Sequence, residues 1–356
     1  MIKFASGNLL QASAQALVNT VNTEGVMGKG IALQFKKAYP RMYEEYAAAC
    51  KAGLVRLGEV DVFDLGGLGG GPRWIINFPT KGHWKAKSRL ADIDSGLASL
   101  IDTVERLEIS SIAVPPLGCG NGGLDWNEVC PRIESAFRAV PSVEVLLFAP
   151  APAPEASAMP NATMRPQLST ARAALVELIR RYEAALLGAV VSLLEVHKLM
   201  YFLQEAGESL RLQYKAHTYG PYALNLRHLM STLDGHYLSG FGDGADRPDK
   251  VIDLLEGAAG EAQEYLKSRP AVLERLERVS ELIVGFEDPY GMELLSSMHW
   301  VMCHVTGARD SADIAIAAVR EWNPGKRLRL KPEHLKVAWT RLKEKRWDTE
   351  SRSALH

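Results

Sequence analysis

Cysteine is scarce. Cys50, Cys119, Cys130 and Cys303 are scattered over 356 residues without paired metal-ligand spacing. That argues against a zinc site and against a disulfide framework. Net charge is nearly absent, −1 with histidine neutral. No global basic field therefore advertises nucleic-acid binding, and any nucleic acid must be held by local contacts. There is no long uncharged apolar run and no signal-peptide pattern, so no membrane association is expected and a cytoplasmic location is. No internal repeat is visible. What remains is a soluble globular composition, 47% hydrophobic and 23% charged, in a chain long enough for two domains with separate cores.

Residues 1–148 alternate between strand and helix signals, which predicts an α/β layer fold with a largely parallel or mixed sheet. Candidate strands are Ile2–Ala5, Ala16–Val21, Glu59–Phe63, Trp74–Phe78, Ser111–Val114 and Val143–Phe148. Candidate helices are Ile31–Ala38, Met42–Ala52, Ser88–Leu107 and Asn127–Ala139. The glycine run from Gly66 to Gly71 lies between two strands with no helix after it, so a hairpin loop is expected there. Residues 151–168 begin with prolines at alternate positions, which favours an extended linker. From Ser169 and Thr170, which can cap a helix, the pattern turns helical. Leu175, Leu178, Ile179, Tyr182, Leu186 and Leu187 recur at helical spacing. Further helices are expected at Glu195–Glu205, Ala223–Leu233, Val251–Lys267, Pro270–Phe286, Gly291–Thr306, Ala312–Glu321 and Pro332–Lys345. The domains are thus 1–150, a linker over 151–168, and a mainly α-helical second domain over 169–350.

Two glycine-rich loops each lead from a strand to a helix. One runs Asn19 to Ala32 and contains Gly25, Gly28 and Gly30; the other runs Val114 to Trp126 and has four glycines within six residues. Glycine permits positive φ and close approach of backbone to ligand, and free N–H groups beside a helix N-terminus cradle anions. Lys29 is followed by Gly30 instead of Ser or Thr, so the first loop is not a Walker loop, and it lacks the full dinucleotide fingerprint. Two such loops in one small α/β domain suggest both walls of a cleft for a diphosphate. The plain alternative is a pair of tight turns. Asn22, at the strand end, is a candidate for a ribose hydroxyl, or else a turn asparagine bonding its own backbone.

The start Phe4-Ala5-Ser6-Gly7-Asn8-Leu9-Leu10, the Asn19-to-Ala32 loop and the Pro116-to-Asp125 loop resemble those of the macrodomain. The resemblance covers residues 1–150 and implies a mixed sheet of about six strands between helices, binding ADP-ribose with its diphosphate between the loops. The implied contacts are Asn8, Leu9, Asn22, Met27, Gly28, Lys29, Gly30, Ile31, Thr80, Leu117, Gly118, Cys119, Gly120, Asn121, Gly122, Gly123 and Leu124. Many macrodomains have an aspartate where Asn8 stands, holding the adenine amine; an amide does so without charge assistance. No cofactor and no metal are expected.

Lys81, in Asn77-Phe78-Pro79-Thr80-Lys81-Gly82-His83-Trp84-Lys85, follows a strand end beside a proline and so points to the ligand-binding edge. For an arbitrary lysine the plain reading is a surface charge. The macrodomain branch that includes the human terminal ADP-ribose glycohydrolase has a lysine at this place, and there it attacks the anomeric carbon of the distal ribose. The resemblance makes Lys81 the expected nucleophile, Asn22 and His83 the expected assisting residues. A nucleophilic amine near pH 7 requires a lowered pKa, from burial or from neighbouring cations such as Lys85 and protonated His83. That branch has an acid in the second loop where this chain has Gly122. Asp125 is expected to cap the following helix, leaving His83 or the released base for the proton.

A macrodomain with Phe-Pro-Thr-Lys-Gly-His-Trp, a linker and a helical domain resembles the antitoxins of DarT/DarG toxin–antitoxin systems. The implied reaction is removal of ADP-ribose from a base, thymine in the nearest branch, of single-stranded DNA. A macrodomain that only binds ADP-ribose is the alternative. Val196-His197-Lys198-Leu199-Met200-Tyr201-Phe202 and Ala216-His217-Thr218-Tyr219-Gly220-Pro221-Tyr222 resemble the Panacea (SocA-like) domain, which implies a DarT-like toxin as partner. Core packing is the expected role of His197, Tyr201 and Phe202, while the turn is expected to expose Tyr219 and Tyr222 as interface anchors. Asp243, Asp246, Asp249, Asp253 and Glu256 are candidates for an acidic, DNA-like patch; the plain reading is a solvated helix face.

Overall fold

The computed structural model describes residues 1–67, 71–185 and 190–348. Leu186, Leu187, part of the Gly66–Gly71 run and the expected end of the second domain lie outside these. The chain divides into two compact units: Met1–Met164 with Gly242–Ala245, and Arg165–Phe241 with the residues from Asp246 onward.

The first unit holds strands β1 (Ile2–Ala5), β2 (Ala16–Asn22), β3 (Asp61–Asp64), β4 (Trp74–Lys81), β5 (Ser111–Val114) and β6 (Glu144–Phe148), with helices α1 (Gly30–Ala38), α2 (Pro40–Lys51), α3 (Leu90–Arg106) and α4 (Trp126–Phe137). The sheet order is β1-β6-β5-β2-β4-β3. All pairs are parallel except β3 with β4. Alternate side chains of β2 face opposite layers, as the pleat requires. Leu17 and Val21 join Phe35, Met42 and Tyr46 on one side, and Ala16 and Val18 join Phe78, Ile93, Leu97 and Ile133 on the other. Helix α3 lies so close to the sheet that a β-carbon on Gly96 would stand 2.3 Å from Phe78 Cζ.

Register is fixed by buried amides as well as by apolar patterning. Asn19 Nδ2 donates to Asn77 Oδ1 at 3.0 Å, and Asn77 Nδ2 donates to Asp61 Oδ2 at 3.0 Å. This ladder crosses β2, β4 and β3 at aligned positions. Strand β4 runs three residues further than Phe78, its expected end, so Lys81 is its last residue and lies beside Asn22 across a bulge in β2. The strand passes through Pro79 because its pairing with β3 ends at Asn77. With one neighbour beyond that point, the missing N–H leaves the β3 ladder intact.

The expected linker is not simply extended. Ala156–Ala158 form a 3-10 turn whose Ala158 carbonyl accepts from Asn8 Nδ2 at 2.9 Å and Gln11 Nε2 at 3.2 Å.

The second unit holds α5 (Thr170–Ala185), α6 (Leu193–Glu205), α7 (Leu226–Leu233), α8 (Ala258–Leu266), α9 (Pro270–Ile283), α10 (Pro289–His304), α11 (Ala312–Glu321), α12 (Pro324–Arg329) and α13 (Pro332–Glu344). Short strands accompany them: β7 (Val191–Ser192), β8 (Tyr214–His217), β9 (Gly220–Ala223), β10 (Leu238–Ser239) and β11 (Val251–Leu254). The helix expected over Val251–Lys267 is thus a strand and a shorter helix. Gly257, at φ 79°, makes the break, and Val251 to Leu254 alternate in burial as a strand does. Helix α6 opens with a capping box, Ser192 with Glu195. Among the described residues no helix is long and apolar enough to cross a membrane.

Candidate active site

The first glycine loop is built by Asn22. Its Oδ1 accepts from Glu24 N at 2.9 Å and Val26 N at 3.3 Å, and its Nδ2 donates to Val26 O at 2.6 Å. The Asn22 carbonyl accepts from the buried Tyr46 hydroxyl. Asn22 is thus a turn asparagine, and the second hydrogen of its Nδ2 takes part in none of these bonds. Met27 is buried beneath the loop against Asn19 Nδ2, and Leu9 is the buried first residue of the 3-10 turn Leu9–Gln11 that Asn8 caps. Asn8 Oδ1 accepts from Leu10 N at 3.0 Å and its Nδ2 goes to Ala158, so only the second lone pair of Oδ1 is left for an adenine amine. Helix α1 starts at Gly30 after Lys29, which gives it no side-chain cap. The first turn is not wholly open: Gly30 N–H donates to Asp243 O of the same unit at 2.8 Å, and Ile31 follows it.

The second loop folds on itself. Cys119 N donates to Pro116 O, Gly123 N to Gly120 O and Leu124 N to Gly118 O, each at 3.1 Å. Gly118 and Gly123 have φ of 72° and 78°, the left-handed region that favours glycine. Among the described residues the amides of Gly120, Asn121 and Gly122 donate to no backbone group, which leaves three consecutive N–H groups for an anion. As expected, Asp125 caps α4 by accepting from Asn127 N at 2.9 Å. Leu117 is buried below the loop. Burial, with Asp125 and Cys130 nearby, pushes the Cys119 thiol up to about 11, which disfavours the thiolate. The two loops face each other: a β-carbon on Gly30 would lie 3.4 Å from Asn121 Nδ2.

Lys81 stands between them. Its Nζ donates to Asn121 O at 3.3 Å. Partial burial, then the Lys87 ammonium, hold its amine below the usual lysine range. The neighbouring cation is thus Lys87, where Lys85 and His83 were expected. A β-carbon on Gly123 would stand 2.8 Å from Lys87 Nζ, which places that ammonium on the second loop. His83 faces the other way: its Nδ1 accepts from Lys85 N at 3.0 Å and its Nε2 lies 3.6 Å from Glu24 Oε2. Thr80 is buried and donates to Val21 O at 3.3 Å, holding β4 to β2 behind the lysine. An acid at position 122 is sterically excluded. A β-carbon there would stand 2.2 Å from Ser88 Oγ and 2.4 Å from Gly118 O.

Sequence reading missed Lys87, Ser88 and Glu24. Each becomes relevant through a neighbour from another segment, and no local pattern marks it.

In the second unit His197, Tyr201 and Phe202 are core residues. Tyr219 is exposed, but Tyr222 is half-buried and stacks on His197 at 4.4 Å between ring centres, against its expected exposure. Of the candidate acidic patch, Asp249, Asp253 and Glu256 are exposed, whereas Asp243 clusters with the first unit. Glu205, His299 and Cys303 are the one set of His, Cys, Asp or Glu side chains among the described residues whose donor atoms, all within 4.8 Å, suit a shared metal ion. His299 Nδ1 is already paired with the Tyr201 hydroxyl at 2.7 Å, and burial pushes the Cys303 thiol up to about 12.

The arrangement is an anion cradle with a lysine of lowered basicity at its rim. The Macro domain family model matches residues 18–133. A DNA ADP-ribosyl glycohydrolase of Thermus aquaticus is 46% identical over 338 residues, 95% of this chain and 92% of the relative. One from Mycobacterium tuberculosis is 43% identical over 354 residues, 96% of this chain and 99% of the relative. The solved macrodomain of Mycobacterium tuberculosis DarG is 56% identical over 42% of this chain and 99% of that chain, with a TM-score of 0.42. With such identity along nearly the whole of both chains, the protein belongs to the DNA ADP-ribosyl glycohydrolase family and carries a macrodomain in its first unit.

Proposed function

We propose that this chain is an antitoxin that removes ADP-ribose from a base of single-stranded DNA, with thymine as the base. The observation that carries the reading is Lys81: an amine of lowered pKa, hydrogen-bonded to the second glycine loop at the open end of the cleft. The Gly120, Asn121 and Gly122 amides, with the first turn of α1, bind the diphosphate and set the distal ribose beside Lys81. The neutral amine attacks the anomeric carbon as the bond to the base nitrogen breaks. The electron pair leaves on the base nitrogen, which takes a proton from water. Water then adds at the same carbon and frees the lysine, giving ADP-ribose and unmodified DNA.

We assign this chemistry to the first unit and capture of a DarT-like toxin to the second. The exposed Tyr219, held at the hairpin of β8 and β9 with the Arg329 guanidinium 5.1 Å from its ring centre, supports a protein-binding role there.

The test is mass spectrometry of a single-stranded oligonucleotide carrying one ADP-ribosyl thymidine, incubated with the wild type and with Lys81→Ala. Loss of the ADP-ribose mass with the wild type alone is expected. Tight ADP-ribose binding with no loss for either protein would leave a reader domain and move neutralisation to the second unit. Protection of toxin-expressing cells by full-length Lys81→Ala measures the toxin-capture arm separately.

A further inference from the structure

We propose that Trp84 is a stacking subsite for an unpaired base that flanks the modified nucleotide. Trp84 sits at the tip of the loop from Gly82 to Ser88, three residues beyond Lys81, and stays 41% exposed. A half-exposed indole this close to a reaction centre offers an aromatic face on which a base can stack. The loop is tied down at both ends. Gly82 O accepts from Thr23 N at 3.0 Å and from Thr23 Oγ1 at 3.2 Å, in the first glycine loop. Ser88 N donates to Gly122 O at 3.0 Å, in the second. The tip is ordered by Ala86 N on His83 O at 2.9 Å and Lys85 N on His83 Nδ1 at 3.0 Å. The indole is therefore held at a set place beside the cleft, and little ordering is needed on binding.

The chemistry of the surroundings selects the partner. The His83 ring stacks on the indole at 5.6 Å with 23° between planes, and Lys85 Nζ lies 4.7 Å from its centre. From Lys81 to Ala91 the sequence carries Lys81, Lys85, Lys87 and Arg89 and no carboxylate; Arg89 is paired with Asp92. An aromatic platform among cations fits a strand with stacked bases and a phosphodiester backbone. An exposed cation–π contact is weaker than base stacking, so an incoming base displaces the Lys85 ammonium, which then lies near a phosphate. In a chain of net charge −1, this supplies the local nucleic-acid contact that the bulk charge does not.

The inference rests on the DNA reading above, and two measurements separate their failures. The first is fluorescence anisotropy of an unmodified single-stranded oligothymidylate with the full chain. The second is hydrolysis of an ADP-ribosylated oligonucleotide and of the bare ADP-ribosyl thymidine nucleoside. For Trp84→Ala, oligonucleotide affinity and kcat/KM on the modified oligonucleotide are expected to fall about 5- to 100-fold. Turnover of the nucleoside and affinity for ADP-ribose stay within about twofold, and Trp84→Phe recovers most of the loss. Equal losses on nucleoside and oligonucleotide would make Trp84 a support of the cleft and overturn the subsite. So would unchanged oligonucleotide binding. A Trp84-dependent oligonucleotide affinity in a wild type that hydrolyses neither substrate would sustain the subsite and overturn the glycohydrolase scheme instead.

Discussion

Lys81 Nζ reaches the carbonyl of Asn121 at 3.3 Å, from the last residue of one strand to the middle of the opposite glycine loop. The contact aims the amine at the place where the distal ribose must lie if the diphosphate occupies that loop. Lys81→Arg tests whether the residue acts by charge or by nucleophilic attack. A guanidinium keeps the charge and cannot deprotonate. We expect ADP-ribose affinity to change by less than about threefold while kcat falls by about 10³ or more. Single-turnover kinetics with the modified oligonucleotide measure this; activity within tenfold of the wild type would rule out attack by the amine.

Lys87 gives the site a pH signature. Burial and then the Lys87 charge hold the Lys81 amine below the usual lysine range. Removing that cation in Lys87→Met lets the Lys81 pKa rise. Less of the amine is then neutral at a given pH, so the acid limb of the kcat profile moves to higher pH. The alkaline plateau is expected to match the wild type. A profile that only drops in height, with its limb unmoved, would assign Lys87 to substrate binding.

Restoring an acid to the second loop is expected to harm the protein. Gly122→Glu puts a side chain where Ser88 Oγ and Gly118 O already stand. Overpacking of this kind costs about 1–3 kcal/mol. The displaced loop should also lose at least about tenfold in ADP-ribose affinity, since three of its amides line the cradle. Calorimetric titration with ADP-ribose and a thermal melt would show both. A Gly122→Glu protein that melts with the wild type and turns over faster would show that the space exists.

In the second unit, burial holds the Lys198 amine down to about 7, with Lys326 adding to the effect and Glu293 opposing it. Its Nζ donates to Pro221 O at 2.8 Å. The unfolded chain binds the extra proton between that value and the ordinary lysine pKa near 10.5. The stability of this unit therefore rises with pH across the window from about 7 to about 10. Lys198→Met removes the titration and is expected to flatten the rise relative to the wild type. Urea unfolding midpoints at several pH values, followed by fluorescence, would report it; parallel slopes would place a charged amine at this site.

Much of the fold was legible because its strands are short, apolar and separated by turn residues. β1 and β5 fall on their expected bounds, and β2, β3 and β6 within one or two residues of them. The second unit was less legible for a local reason. Val251-Ile252-Asp253-Leu254 fits either period over four residues, and its pairing with β7 and β10 decides it. The hairpin of β8 and β9 was visible as a turn, yet the stacking of Tyr222 on His197 depends on a helix residue twenty-five positions earlier.

The site divides in the same way. Glycines, the Asp125 cap and the position of Lys81 are local facts, and the sequence carries them. The place of Asn22 at a strand end suits both a turn and a ribose contact; the three hydrogen bonds inside its own loop establish the turn and leave one Nδ2 hydrogen for the other role. Lys87 is six residues from Lys81 and two segments from Gly123, so its effect on the amine becomes visible when those segments meet.

The contact between Ser88 and Gly122 also constrains descent. One replacement cannot give position 122 an acidic side chain, because a hydroxyl and a backbone carbonyl both occupy the space. Ser88 would have to become smaller first, and the turn at Gly118 would then have to open, each intermediate being less stable than its parent. A lineage carrying this packing gains an acid in this loop more readily at Gly120, where a β-carbon would meet nothing within 4 Å, than at position 122. Its catalytic inventory is inherited through geometry, and the order in which changes arrive matters more than which changes they are.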